Sequence, residues 1–80
     1  MSAKNPTRSE RAARLAEMQR DLITAMEELR DEIQEGRDNM PESFQDGAPG
    51  QKADARISSL EDAISSAESA ADSLEEFDNA

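Results

Sequence analysis

The chain has no cysteine, no histidine, no tryptophan and no tyrosine. Without cysteine there is neither a disulfide nor a thiolate metal site. Without histidine the commonest metal ligand and the commonest general base are both missing. Phe44 and Phe77 are the only aromatic residues. Punctuation is scarce: of three glycines and three prolines, Pro41, Gly47, Pro49 and Gly50 crowd into one short stretch. Basic residues stop at Arg56, leaving Ile57 onward with acidic charge alone. No apolar run approaches the length of a membrane span, and Met1–Arg20 lacks the apolar region of a signal peptide. The lack of cysteine fits a cytoplasmic protein.

What is present is charge and helical rhythm. The 80 residues carry a net charge of −10. Within residues 1–20, five basic residues against two acidic ones give +3, so the remainder carries −13. Such a balance repels nucleic acid and anionic membranes and attracts a protein partner with a basic surface.

Taken in order, residues 1–6 read as a flexible arm, because Pro6 disfavours helix at Asn5. Thr7 and Glu10 have the spacing of a capping box, Thr7 as N-cap and Glu10 at the third helical position. A first helix is expected over 7–37, with Gly36 as its terminator and with Leu15, Met18, Leu22, Met26, Leu29 and Ile33 as its apolar stripe. The step from Leu22 to Met26 is four where a strict heptad wants three, a stutter in the seam. Residues 38–51 read as a connection, with one short helical turn near Pro41 and turns at Asp46-Gly47 and Pro49-Gly50. A second helix is expected over 52–77, where Ile57, Leu60, Ile64, Ala67, Ala71 and Leu74 alternate steps of three and four.

Two helices of similar length joined by a Pro/Gly-rich connection predict an all-α fold, an antiparallel coiled-coil-like hairpin filling residues 7–80. Folding the stripes together pairs Ile33 with Ile57, Leu29 with Leu60, Met26 with Ile64, Leu22 with Ala67, Met18 with Ala71 and Leu15 with Leu74. The same register sets Arg8, Arg11 and Arg14 beside Asp72, Glu75, Glu76 and Asp78. A hairpin of this size is marginal alone. Ile23 with Ala16, and Ala63 with Ala70, form a second stripe that could close a homodimeric four-helix bundle or dock on another protein. Met40 and Phe44 have two open readings: a plug over the hairpin end near Ile33 and Ile57, or an exposed anchor for a partner.

Chemistry finds little to work with. A nucleophilic serine needs an adjacent base, and the two lysines, Lys4 and Lys52, stand in terminal or connecting positions. Adjacent carboxylates such as Glu27/Glu28, Glu61/Asp62 and Glu75/Glu76 splay about 100° apart on a helix. Asp38–Ser43 lacks the ligand rhythm and glycine of a calcium loop, and Gly47-Ala48-Pro49-Gly50 lacks the lysine of a phosphate loop. The expectation is a non-enzymatic chain with no cofactor and no metal. Its candidate partner-binding residues are the acidic Glu61, Asp62, Glu68, Asp72, Glu75 and Glu76, with Met40, Glu42, Phe44 and Asp46 of the connection as a second group. A rod lined with carboxylates can also imitate the phosphate rows of a duplex and compete for a basic groove.

The segment Glu32-Ile33-Gln34-Glu35-Gly36-Arg37-Asp38-Asn39-Met40-Pro41-Glu42-Ser43-Phe44-Gln45, followed by Leu60-Glu61-Asp62-Ala63-Ile64-Ser65-Ser66, resembles a group of small acidic bacteriophage proteins. In these a helix leads through an Asn-Met-Pro-Glu turn into an acidic heptad helix. The resemblance covers about half the chain. It implies a phage origin, a place in the host cytoplasm, and a role as an inhibitor of host machinery or of a defence system. An alternative expectation is a structural module that dimerises or completes a larger helical complex.

Overall fold

A computed structural model describes residues 5–79. They form α1 (Arg8–Asp38), the single turn α2 (Glu42–Gln45), α3 (Ala48–Glu75) and a closing 3₁₀ turn, Phe77–Asn79. The two long helices fold back on each other as a hairpin, so the expected all-α fold is the observed one. The radius of gyration is 18.5 Å, against about 12 Å for a compact chain of this length. The molecule is a rod.

The start of α1 follows the sequence closely. Thr7 sits in extended backbone; its hydroxyl accepts from the Glu10 N–H at 3.0 Å, and the Thr7 N–H donates to Glu10 Oε1 at 3.0 Å. These reciprocal bonds satisfy two donors that a helix start leaves free. They also hold the Glu10 carboxyl below its usual range, chiefly through the Thr7 N–H. Of the expected arm, residues 1–4 lie outside the described residues.

The end of α1 departs from expectation. Gly36 lies inside the helix, which runs on to Asp38, and Asn39 closes it with right-handed φ and ψ. No described residue, glycine included, adopts a positive φ. The cap comes from a side chain instead. Gln45 Nε2 faces the carbonyls of Arg37 and Asp38 at 3.3 Å and that of Met40 at 3.1 Å. The Arg37 carbonyl also accepts from the Met40 N–H at 3.1 Å, so the amide adds to a backbone bond there and supplies the Asp38 and Met40 carbonyls.

The second long helix begins at Ala48, four residues earlier than expected. Gly47 takes the N-cap position in extended backbone, and Pro49 falls in the first turn, where its missing N–H costs nothing. Pro49 and Gly50 therefore open the helix and do not form a turn of their own. Gly50 is buried against α2, and a Cβ built there would lie 1.9 Å from the Gln45 carbonyl oxygen and 2.8 Å from the Gln45 Cα. Only glycine allows α3 to leave the connection at this point.

The helix–helix seam is half as expected. On α3, Ile64, Ala67 and Ala71 are buried, and Ile57, Leu60 and Leu74 are half-buried. Gly50 and Ala53 extend this stripe toward the connection with unchanged spacing. On α1 the inward face is not the expected one. Ala12, Ala16 and Ile23 are buried, and Gln19, Met26, Arg30, Ile33 and Arg37 are half-buried. These positions alternate steps of four and three without a break. Leu15, Met18, Leu22 and Leu29, assigned to the seam from sequence, are 50, 59, 52 and 48% exposed. Ile23 and not Leu22 meets Ile64 and Ala67, with Met26 packed alongside. Small side chains explain the choice. Alanine fills five of the eight fully buried positions, Ala12, Ala16, Ala53, Ala67 and Ala71, and lets the two backbones approach closely there, which a row of leucines would prevent. Ile23 and Ala16, expected on a second stripe, are thus core, whereas Ala63 is exposed and Ala70 half-buried.

Candidate protein-binding surfaces

The hairpin presents two unlike sides. On α3, Asp54, Glu61, Glu68, Asp72 and Glu75 follow at helical spacing and share one flank of the seam. Arginines of α1 meet this flank at its ends. Arg37, on the inward face of α1, reaches Asp54 near the connection, with Nε 2.5 Å from Oδ1 and Nη2 donating to Oδ2 at 3.2 Å. At the open end Arg20 reaches two carboxylates: Nη2 donates to Asp72 Oδ1 and to Glu75 Oε1, both at 2.7 Å, and Nε donates to Glu75 Oε2 at 3.2 Å. The hydrogen bonds that Arg20 donates to Glu75 and then to Asp72 raise the Arg20 pKa, and the same contact lowers that of Glu75. Asp54 likewise raises the pKa of Arg37.

The expected clamp of Arg8, Arg11 and Arg14 on the acidic C-terminal segment is not the observed one. All three are exposed, and among the described residues no ion pair joins them to α3. Arg20 takes that role, and Ser9 Oγ donates to Asp78 Oδ1 at 2.6 Å. The signal was available in the sequence: Arg20 stands three residues from Ile23, close to the seam on a helical wheel.

The six acidic residues singled out from sequence fall into different settings. Glu61 and Glu68 lie between the two arginine clamps and are exposed. Asp72 and Glu75 are held by Arg20. Asp62 is exposed about 100° round the helix from Glu61. Glu76 closes α3, its N–H donating to the Asp72 carbonyl at 3.1 Å. In the connection, Glu42 is exposed at the start of α2 and Asp46 ends it. Met40 and Phe44 part company. Met40 is half-buried and lines a groove with Ile33, Pro49 and Ala53, as a plug would. Phe44 is 52% exposed and does not plug the hairpin end.

The opposite side has a different character. Leu15, Leu22 and Leu29 recur every seven residues along α1, with Met18 between them. Leu29 and Ile33 form one wall of a groove whose other wall is Lys52, Arg56, Ser59 and Leu60 of α3. Nearer the open end Leu15 shares a hollow with Arg11, Leu74 and Phe77. The sequence contained this ridge but assigned it to the inside of the hairpin.

Among the described residues no group of three acidic side chains is placed to hold a metal ion, and no helix is long and apolar enough to cross a membrane. Comparison with known proteins finds no family model, no curated protein and no solved structure that matches the chain.

Proposed function

We propose that this chain is a non-enzymatic protein-binding module that docks its acidic flank on a basic surface of another protein. The observation that supports the reading is the position of Glu61 and Glu68. They lie exposed between the two arginine clamps and keep their charge available to a partner. Exposed carboxylates with no internal partner steer encounter and fix register more than they stabilise a fold. The resemblance to small acidic phage proteins gives this binding a direction, as inhibition of a host or defence protein. If that target handles nucleic acid, the carboxylate row stands in for phosphates.

The test is affinity capture from a bacterial lysate with the wild-type chain and with Glu61→Lys/Asp62→Lys/Glu68→Lys in parallel. Asp72 and Glu75 stay unchanged, because reversing them would break the Arg20 contact and confuse binding with folding. The reading expects a captured protein that is released by rising salt and lost with the variant, while helicity by circular dichroism is unchanged. Equal capture by both chains rejects it.

A further inference from the structure

We infer that the apolar ridge of α1 is the interface with a second copy of this chain, packed face to face and antiparallel across Leu22. This rests on the side of the hairpin away from the acidic flank, and it stands whether or not that flank binds anything.

Four large apolar side chains, Leu15, Met18, Leu22 and Leu29, stand about half exposed in one line, while most buried positions are alanine. Ile23 and Ile64 apart, the fully buried positions are small, while these four large side chains face out. For an isolated hairpin that order is inverted, since burying large aliphatic side chains is the main favourable term in folding. For one half of a four-helix bundle it is the expected order. Alanines bring α1 and α3 together, and leucines fill the space between the two hairpins.

Size agrees. From Arg11 to Ile33 the ridge runs about 33 Å, and two helices side by side are roughly 20 Å wide. That footprint of about 660 Å² per copy gives about 1,300 Å² in all, within the range of roughly 1,200–2,000 Å² for stable interfaces.

Charge selects the second copy and its direction. Beside the ridge, α1 is basic at its start, with Arg8, Arg11 and Arg14, and acidic toward its end, with Glu28, Glu32 and Glu35. Two ridges crossing antiparallel set Arg11 and Arg14 of each copy near Glu28 and Glu32 of the other. Parallel ridges would set like charge against like. Two of the three exposed arginines, Arg11 and Arg14, which the hairpin itself leaves without an ion-pair partner on α3, then have one. A two-fold pairing of this kind is self-complementary and closed, so it stops at two copies.

Sedimentation equilibrium of the full chain should give twice the 8.8 kDa mass, and its melting temperature should rise with concentration. Leu15→Glu/Leu22→Glu/Leu29→Glu should sediment as a monomer. Because that variant could also lose its fold, a second one keeps the test open. The chain has no cysteine, so Leu22→Cys, next to the two-fold axis, should form an interchain disulfide on mild oxidation. Asp62→Cys, on the far side, should not. A wild-type mass of one chain, a mass above two, a dimer surviving the triple glutamate change, or equal cross-linking at both positions would overturn the inference.

Discussion

Leu22 and Ile23 are neighbours in sequence and opposites in the fold. Ile23 is 7% exposed and packs on Ile64 and Ala67, whereas Leu22 is 52% exposed on the outer ridge. The two belong to separate stripes, both at helical spacing. The inner stripe carries Ala12 and Ala16 with Ile23, Met26 and Ile33, and mixes them with Gln19, Arg30 and Arg37; the outer is leucine and methionine. The lesson is that hydrophobicity did not decide which stripe faces the sister helix. Small residues at the closest points did, Ala12 and Ala16 on α1 and Ala53, Ala67 and Ala71 on α3, with Ile23 and Ile64 as the large pair between them.

The contrast is sharpest where the seam is tightest. At Gly50 even a methyl group would fall within 1.9 Å of backbone. Gly50→Ala should therefore have the largest effect of any single methyl added to this chain, since α2 and the first turn of α3 must separate and the Gln45 cap on α1 is disturbed with them. A loss of about 3 kcal/mol or more by urea denaturation is expected, at the upper end of overpacking costs. Gly36→Ala is the control: nothing lies within 4 Å of its added Cβ, and the change should stabilise α1 by about 0.5–1 kcal/mol. Equal effects at the two glycines would show that the connection is looser than described.

Next in size is the neighbouring pair itself. At concentrations low enough to hold the chain monomeric, Ile23→Ala should cost about 2–4 kcal/mol, as for other buried aliphatic truncations. Leu22→Ala should cost about 0.5 kcal/mol or less under the same conditions. At high concentration the ranking should narrow, as Leu22 becomes buried between copies. If Leu22→Ala is as costly as Ile23→Ala in dilute solution, the inner and outer assignments are reversed.

These assignments mark where the sequence was legible. The α3 stripe could be read because its seam residues are also its most apolar ones, so spacing and hydrophobicity agree from Ile57 to Leu74. On α1 they disagree. Ranking residues by hydrophobicity spliced Leu15, Met18, Leu22 and Leu29 of the ridge to Met26 and Ile33 of the seam. The splice appeared as the irregular step from Leu22 to Met26. An unbroken alternation through Ala12, Ala16, Gln19, Ile23, Met26, Arg30, Ile33 and Arg37 was present, hidden by its alanines and by arginines whose stems can lie along a seam while their heads reach out. The capping box was legible because it is local. The Gln45 cap and the glycine contact at Gly50 were not, since both depend on where the chain returns in space. The acidic flank was read as a block of charge, and the structure divides it by which carboxylates an arginine can reach.

The smallest effect expected lies where the inner stripe meets that flank, at Arg20. Glu75 has its pKa lowered, first by the Arg20 hydrogen bond and then by the arginine's charge. A carboxylate with a depressed folded-state pKa contributes stability that is present above its ordinary value of 4.5 and lost as pH falls through the lowered one. Glu75→Gln removes that contribution while keeping size and some hydrogen bonding. At neutral pH the variant should melt slightly below wild type, by a small margin because the pair is exposed to solvent and screened by salt. As pH falls below about 4.5 and on through the lowered folded-state value, the two melting curves should converge, because the wild-type carboxylate becomes protonated too. The same experiment on Glu61→Gln, which has no arginine partner, should show no such convergence from below; at neutral pH, removing a like charge from the acidic flank should leave stability unchanged or raise it. A gap between wild type and Glu75→Gln that persists in acid would mean that the Arg20 contact holds the open end by shape and hydrogen bonding and not by charge. The inner stripe would then end at Ala71 without help from the flank.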